Sequence, residues 1–361
     1  MNREQALAIV FAKPGTVELC RIRVPELRPE EILIRTEMTG ISPGTDRSFL
    51  RGHYRGAMER FPLIYGYQRL GIVEAVGPGV PQEQITVGDR VFSGLAPCRL
   101  DPADGLGETG GAYTSMAVAH YSDVYPIAPH IPVGLDELAL GGMAASGVHA
   151  VEISRVAAGE LVVVIGQGMI GQFDAQLSRL RGARVVVSDL IDRRLELAAA
   201  LGADRVVNPR NEDLGSAVKE ERGKLGNPLG YAPVGGTHSL FELNRWSQMD
   251  GGADLVIDTT AQPADQWAKL LRREGRLALQ GYFPDPVPFD YHFFHFQRVT
   301  MSCPGGFDLG GYGRAVDLMR LGLLQVKPLM THCLPASEAA EAFRLVLEEP
   351  ESILGMVLDW R

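Results

Sequence analysis

The stretch Leu161–Gly171, LVVVIGQGMIG, decides the reading of the fold. Five consecutive apolar residues predict a strand buried on both faces of a parallel sheet, and the glycines after it predict a sharp turn into a helix. Working downstream, FDAQLSRLRG (173–182) reads as that helix and ARVVVSD (183–189) as a second buried strand. A helix, DRRLELAAALG (192–202), and a short strand, ADRVVNP (203–209), follow. GGADLVIDTT (251–260), a helical segment and GRLALQGYF (275–283) continue the alternation. Strand and helix in this repeating order predict an α/β fold built on an open, doubly wound parallel sheet. Between these elements, residues 209–250 are polar and turn-rich, and read as a helix plus an extended excursion.

Working upstream, the first ~150 residues have another texture. EEILIRTEMTGIS (30–42), GIVEAVG (71–77) and DRVFSG (89–94) are short strand-like runs broken by Gly and Pro, which predicts an irregular, mostly β domain. Helical periodicity is sparse before about 136–156. At the C-terminal end, GGYGRAVDLMRLGLL (310–324) and SEAAEAFRLVLEE (337–349) read as helices, KPLMTHCLP (327–335) and SILGMVLDW (352–360) as strands.

The 361 residues exceed one compact core and predict two domains. A net charge of −9 with dispersed basic residues argues against a nucleic-acid partner. No apolar run approaches the roughly 20 residues of a membrane span, and no secretory signal is visible. Cys20, Cys98, Cys303 and Cys333 are scattered singly, without a CxxC spacing, which predicts a reduced, cytoplasmic protein.

Gly166-Gln167-Gly168-Met169-Ile170-Gly171 is GxGxxG in the context that gives the pattern its meaning: after a buried strand, opening a helix, with Asp189 ending the next strand. Gly166 allows the tight turn, Gly168 lets the backbone approach a pyrophosphate, and Gly171 lets the helix pack on the strand. The helix start at Met169 and Ile170 presents N–H groups and a positive dipole end to phosphate. Asp189 can accept hydrogen bonds from ribose hydroxyls and would repel a 2′-phosphate, which favours NAD; Arg193 and Arg194 keep NADP open. Arg194, Thr259 and Gly281 complete the predicted cofactor residues. FAD or a nucleotide sugar can use the same kind of turn.

With these motifs in place, the chain resembles the medium-chain dehydrogenase/reductase superfamily of zinc alcohol dehydrogenases. The resemblance runs through PLIYGYQRLGIVEAVGPGV (62–80), VGDRVF (87–92), the cofactor unit and SEAAEAFRLVLEE. It implies a GroES-like catalytic domain at 1–151, a Rossmann domain at 152–297, a return to the catalytic domain at 298–361, and a homodimer. It also implies a small-molecule substrate.

The departures fall on the zinc site. Where the family has a Cys in GIC, this chain has Gly40-Ile41-Ser42; where it has GHE, this chain has Gly66-Tyr67-Gln68; the third ligand falls near Ala145. The four-Cys structural lobe is missing, with Cys98 alone in that region. The expectation is an enzyme with no zinc, since a catalytic zinc needs three protein ligands and an open position. Hydroxyl donors would then manage the oxygen of the substrate. Thr45 in SPGTD matches the family's relay hydroxyl, and Tyr67 stands where the metal-binding His stood. Ser42, Asp46, Gln68, His53, Tyr54 and His149 are further candidates. Each has a plainer reading: Tyr67 as packing, Thr45 as turn chemistry, His53 as a loop residue and His149 as core.

GISPGTDR followed by PLIYGYQRLG is similar to the zinc-free branch that includes bacteriochlorophyllide hydroxyethyl dehydrogenase. That likeness implies oxidation of a secondary alcohol to a ketone. An NADPH-dependent enoyl or quinone reductase and a non-catalytic NAD(H)-binding protein stay open. The run Tyr291-His292-Phe293-Phe294-His295-Phe296 suggests a bulky or ring-bearing substrate, or simply a core strand.

Overall fold

A computed structural model describes residues 6–55, 60–94, 99–101, 104–108, 110–225, 252–283 and 285–361. The chain divides into two compact units, Met1–Ala145 with Phe307–Arg361, and Ser146–Gly306. The division falls within a helix, Gly141–Ile153, and after the last strand of the second unit, rather than at 151/152 and 297/298.

The first unit is mostly β. Lys13-Pro14-Gly15-Thr16 joins β1 (Ala6–Lys13) to β2 (Thr16–Ile22), with Gly15 at φ +75° supplying the left-handed turn residue. Then come β3 (Glu31–Ile41), α1 (Pro43–Leu50), β4 (Leu63–Ile64), β5 (Arg69–Val76), β6 (Arg90–Ser93), β7 (Gly107–Glu108), β8 (Met116–His120) and β9 (Tyr125–Pro126). Two helices, α2 (Leu135–Ala139) and α3 (Gly141–Ile153), lead out of this part. β3 is buried along almost its whole length and pairs antiparallel with both β5 and β8. One core gathers Phe11, Ile41, Phe49, Leu50, Ile64, Tyr113, Phe343 and Leu358 between the smaller sheet, α1 and the C-terminal elements.

SPGTD, read in the sequence as turn chemistry, instead opens α1. Pro43 sits in the first helical turn, where its missing N–H costs nothing, and Asp46 reaches back to the N–H of Ser42 at 2.8 Å. A helix of eight residues is too short to show a clear period, which is why the pattern hid it.

The second unit is the α/β sheet. It runs β10 (Leu161–Ile165), α4 (Met169–Leu180), β11 (Arg184–Ser188), α5 (Asp192–Ala200), β12 (Arg205–Val207), α6 (Leu214–Lys224), β13 (Ala253–Asp258), α7 (Ala264–Ala268), β14 (Leu271–Leu279), α8 (Tyr291–Gln297) and β15 (Thr300–Ser302). All pairs are parallel, in the order β12-β11-β10-β13-β14-β15. β10 and β13 are buried throughout, each large aliphatic side chain contributing roughly 1.5–3 kcal/mol by leaving water. Order reverses between β10 and β13, so their C-terminal ends form the switch point at which open α/β sheets bind ligands. The other ends of these strands are tied together by Asp254, whose carboxylate accepts from the N–H of Leu161 at 2.7 Å, from Arg272 at 2.5 Å and from Arg222.

The helix expected within 209–250 is α6; residues 226–250 lie outside the described residues, as does Cys98. The aromatic run at 291–296 is α8, a helix with Tyr291 at 69% exposure, not a core strand. Asp290 caps it by accepting from the N–H of Phe293, and local capping overrides the β preference of the aromatics.

After the second unit the chain adds α9 (Leu309–Arg320), β16 (Met330–Pro335), α10 (Ala339–Glu348) and β17 (Gly355–Asp359) to the first. β17 pairs with β3, giving the sheet order β16-β17-β3-β5-β6-β9, with β8 on β3. Among the described residues, no helix is long and apolar enough to cross a membrane.

Candidate active site

In the second unit the glycine turn has the geometry its spacing demands. Gly166 adopts φ +86°, and a Cβ there would lie 2.6 Å from Thr259 Oγ1 and from Thr260 Cγ2. A Cβ on Gly171 would lie 1.8 Å from the carbonyl oxygen of Gly166, so α4 packs directly on the turn. Gly168, the residue before α4, has open space where its side chain would be. Buried Met169 and partly exposed Ile170 begin the helix, whose first N–H groups have no partner within it.

Asp189 is partly exposed just after β11. Its carboxylate accepts from the N–H of Gln167 at 2.6 Å and of Ile191 at 2.8 Å, so it also braces the glycine turn. A carboxylate offers about four acceptor sites, and two amides leave capacity for ribose hydroxyls. Thr259 Oγ1 donates to the carbonyls of Ile165 (2.9 Å) and Gly166 (3.2 Å), pinning the end of β13 to the turn. The N–H of Gly281 donates to the Asp258 carbonyl at 3.0 Å, and a Cβ on Gly281 would meet Ala261 N at 2.4 Å. Arg194 is partly buried on α5, its carbonyl accepting from Gln172 Nε2 at 2.8 Å. Asp258 was not singled out in the sequence; it accepts from the N–H and Oγ1 of Thr260 (2.8 and 2.6 Å) and from the N–H of Gln262 (3.2 Å), shaping the turn after β13. Asp-Thr-Thr at a strand end was its available signal.

In the first unit, Ser42, Thr45, Asp46 and Tyr67 come together. Ser42 and Thr45 hydroxyls lie 3.4 Å apart across the first turn of α1, and the Tyr67 hydroxyl shares hydrogen bonds with both side chains. Tyr67 is partly buried, edge-on to Tyr65 at 6.0 Å. Burial first, and the charge of Asp46 second, raise its pKa, so Tyr67 is a neutral phenol able to donate. Asp46 is 1% exposed and receives the Ser42 N–H and, at 2.5 Å, the hydroxyl of Tyr113. Burial pushes its pKa up to about 7, against the pull of those two hydrogen bonds.

Gln68 is fully buried and accepts from the N–H of Met143 at 3.0 Å. Tyr54 stacks on Phe49 at 4.0 Å. His53 is exposed in the turn after α1, and His149 belongs to the other unit, its Nδ1 3.2 Å from the Gly306 carbonyl. Ala145 is buried in α3. Among the described residues, no three His, Cys, Asp or Glu side chains cluster so as to hold a metal ion. Tyr113 was missed, because GGAYTS carries no motif that marks it.

Two family models match the chain in tandem: an alcohol dehydrogenase GroES-like domain over residues 28–129 and a zinc-binding dehydrogenase over residues 170–319. The chain belongs to the medium-chain dehydrogenase/reductase superfamily, zinc-type alcohol dehydrogenase-like. This dehydrogenase is 23% identical to the D-xylulose reductase of Saccharomyces cerevisiae over 373 residues, which cover 98% of this chain and 97% of the relative. Its fold matches an Escherichia coli CFT073 alcohol dehydrogenase (rspB) solved with NADH, with TM-score 0.79, 20% identity and coverage of 99% and 100%. It equally matches a zinc-binding dehydrogenase of Sinorhizobium meliloti 1021 solved with NADP, with TM-score 0.76, 23% identity and coverage of 98% and 99%. The same fold thus accompanies either cofactor in those proteins.

Proposed function

We propose that this dehydrogenase uses NAD without zinc and interconverts a secondary alcohol and a ketone. The observation that carries the reading is the hydroxyl cluster Ser42–Thr45–Tyr67, backed by Asp46, in which Ser42 and Tyr67 stand where the family has metal ligands. Serine, tyrosine and alanine at the three ligand positions do not fit a zinc site, whose ligands are thiolate, imidazole or carboxylate.

The residues present do fit a dinucleotide. The turn from Gly166 to Gly171 and the start of α4 would hold the pyrophosphate, and Asp189 the adenosine ribose. Bound NAD supplies the hydride acceptor. The neutral phenol of Tyr67 donates a hydrogen bond to the carbinol or ketone oxygen and, with Thr45 and Ser42, carries its proton; each hydroxyl can both give and accept one. Asp46 fixes the turn that bears Ser42 and Thr45.

A homodimer formed along the outer sheet edge belongs to the same reading; β15 ends that sheet with Met301 exposed. Cytoplasmic residence does as well, since Cys20, Cys303 and Cys333 are free thiols.

The test begins with the metal-stripped protein titrated with NADH and NADPH by nicotinamide fluorescence, then supplied with NAD and secondary alcohols, cyclic ones included. NADH binding at least tenfold tighter, with alcohol-dependent NADH formation, is expected. Tighter NADPH binding together with enone reduction and no alcohol oxidation would point to a reductase. NADH binding without turnover of any substrate would point to a non-catalytic protein. Asp189→Ala is expected to lower the NADH-over-NADPH preference by about tenfold, one lost charged contact being worth roughly 1.5 kcal/mol. An unchanged ratio in the same titration would remove Asp189 as the selector.

A further inference from the structure

Tyr113 lies between the two chain segments that carry the hydroxyl cluster. Its hydroxyl donates to Asp46 on α1 at 2.5 Å, and Asp46 holds the N–H of Ser42 with its other oxygen. Its ring lies 2.9–3.0 Å from where a Cβ of Gly66 would stand, and Gly66 adopts φ +94° immediately before Tyr67. One side chain therefore touches the backbone next to Tyr67 and the carboxylate next to Thr45.

Tyr113 is itself held. Its N–H donates to the Tyr65 carbonyl at 3.1 Å, and its carbonyl accepts from the N–H of Ile9 at 2.9 Å. Its ring meets Phe343 edge-on at 5.6 Å, and it is fully buried. A group fixed from so many directions transmits position, because buried packing leaves few alternative rotamers.

We infer that Tyr113 is a positioning residue for the reaction, spacing Tyr67 from Thr45 by gripping Asp46 with its hydroxyl and Gly66 with its ring. The inference rests on the alcohol-dehydrogenase reading above. Asp46 is the titratable element of this grip. Phenols bear on it from two sides: Tyr65 and Tyr67 after β4, and Tyr113 before β8, with Arg47 its neighbour on α1.

The ionised carboxylate accepts from both Tyr113 and Ser42, so the grip is complete above a pH of about 7 and loosens as Asp46 is protonated below it. kcat/KM for alcohol should therefore fall on the acid side with an inflection near 7. Losing the Tyr113 hydroxyl removes a hydrogen bond that favours the ionised form, so the Asp46 pKa should rise further.

The experiment compares wild type, Tyr113→Phe and Asp46→Asn by two readouts. Carboxyl 13C NMR, with the Asp46 signal identified by its loss in Asp46→Asn, follows Asp46 without requiring turnover. The pH profile of kcat/KM follows the reaction. In Tyr113→Phe both midpoints should move up by about one pH unit, with kcat falling at least tenfold at pH 7 and NADH affinity unchanged. In Asp46→Asn the acid inflection should disappear. An Asp46 midpoint that does not move in Tyr113→Phe overturns the grip. An NMR midpoint that moves while the kinetic inflection stays overturns its role in the reaction and leaves Tyr113 purely structural. If no alcohol is turned over by wild type, it is the functional reading that fails, and the NMR titration still decides whether Tyr113 holds Asp46.

Discussion

Replacing Tyr67 by Phe and Thr45 by Val together is expected to lower kcat for alcohol oxidation by about 10³-fold, with NADH affinity unchanged. Each single variant should lose about 10²-fold, and the double less than the product, because the two hydroxyls act on one proton and one oxygen. Tyr67 exchanges hydrogen bonds with Thr45 and Ser42, so removing either breaks the same chain. The cofactor turn belongs to the other compact unit, which is why NADH binding serves as the internal control. Both substitutions are nearly isosteric, and Thr45 and Tyr67 are only partly buried, so near-ultraviolet circular dichroism should match wild type. Steady-state kinetics check the result; a double variant within threefold of wild type would show that these hydroxyls are packing and turn chemistry.

Two glycines three residues apart should respond in opposite ways to one methyl group. Gly168→Ala places its Cβ in open space at φ −69° and ψ −175°, so the fold and its thermal midpoint should stay unchanged. NADH affinity should fall by about 100-fold or more, because the methyl occupies the space through which a pyrophosphate would approach the backbone. Gly171→Ala places its Cβ 1.8 Å from the Gly166 carbonyl oxygen, an overlap only backbone displacement can relieve. Its cost should be roughly 3 kcal/mol or more of stability, read as a lowered midpoint in chemical denaturation. Calorimetry and NADH titration on both proteins separate the effects. A Gly168→Ala protein with wild-type NADH affinity would mean that the turn is a strand–helix junction and no phosphate site.

The open sheet was legible because LVVVIGQGMIG, ARVVVSD and ADLVIDTT carry their burial in their own composition, and the glycine spacing states a backbone requirement directly. α1 was not legible. Eight residues beginning Pro-Gly-Thr-Asp look like a turn, and only tertiary burial of Phe49, Leu50 and Asp46 makes them a helix. α8 was obscured by its aromatics, whose strand preference a single Asp290 cap outweighs. At the site, Ser42 and Tyr67 were suggested by substitution at the positions of a known ligand set and Thr45 by its match to the family's relay hydroxyl, but their mutual hydrogen bonds belong to the fold. Asp189 was expected as a ribose acceptor; that it also holds the N–H of Gln167 depends on β11 lying next to β10. Tyr113 could not be found from sequence at all, since 67 residues separate it from the carboxylate it grips.

The central claim is that the hydroxyl cluster replaces a metal. The most direct measurement is turnover of a secondary alcohol with NAD by chelator-treated protein, plotted against its zinc-to-protein ratio as zinc is added back. The account predicts a flat line, with full activity at less than about one zinc per ten chains, because Ser42, Tyr67 and Ala145 offer no zinc ligand set. A rate that is negligible after chelation and rises in proportion to zinc, levelling at one ion per chain, would contradict it.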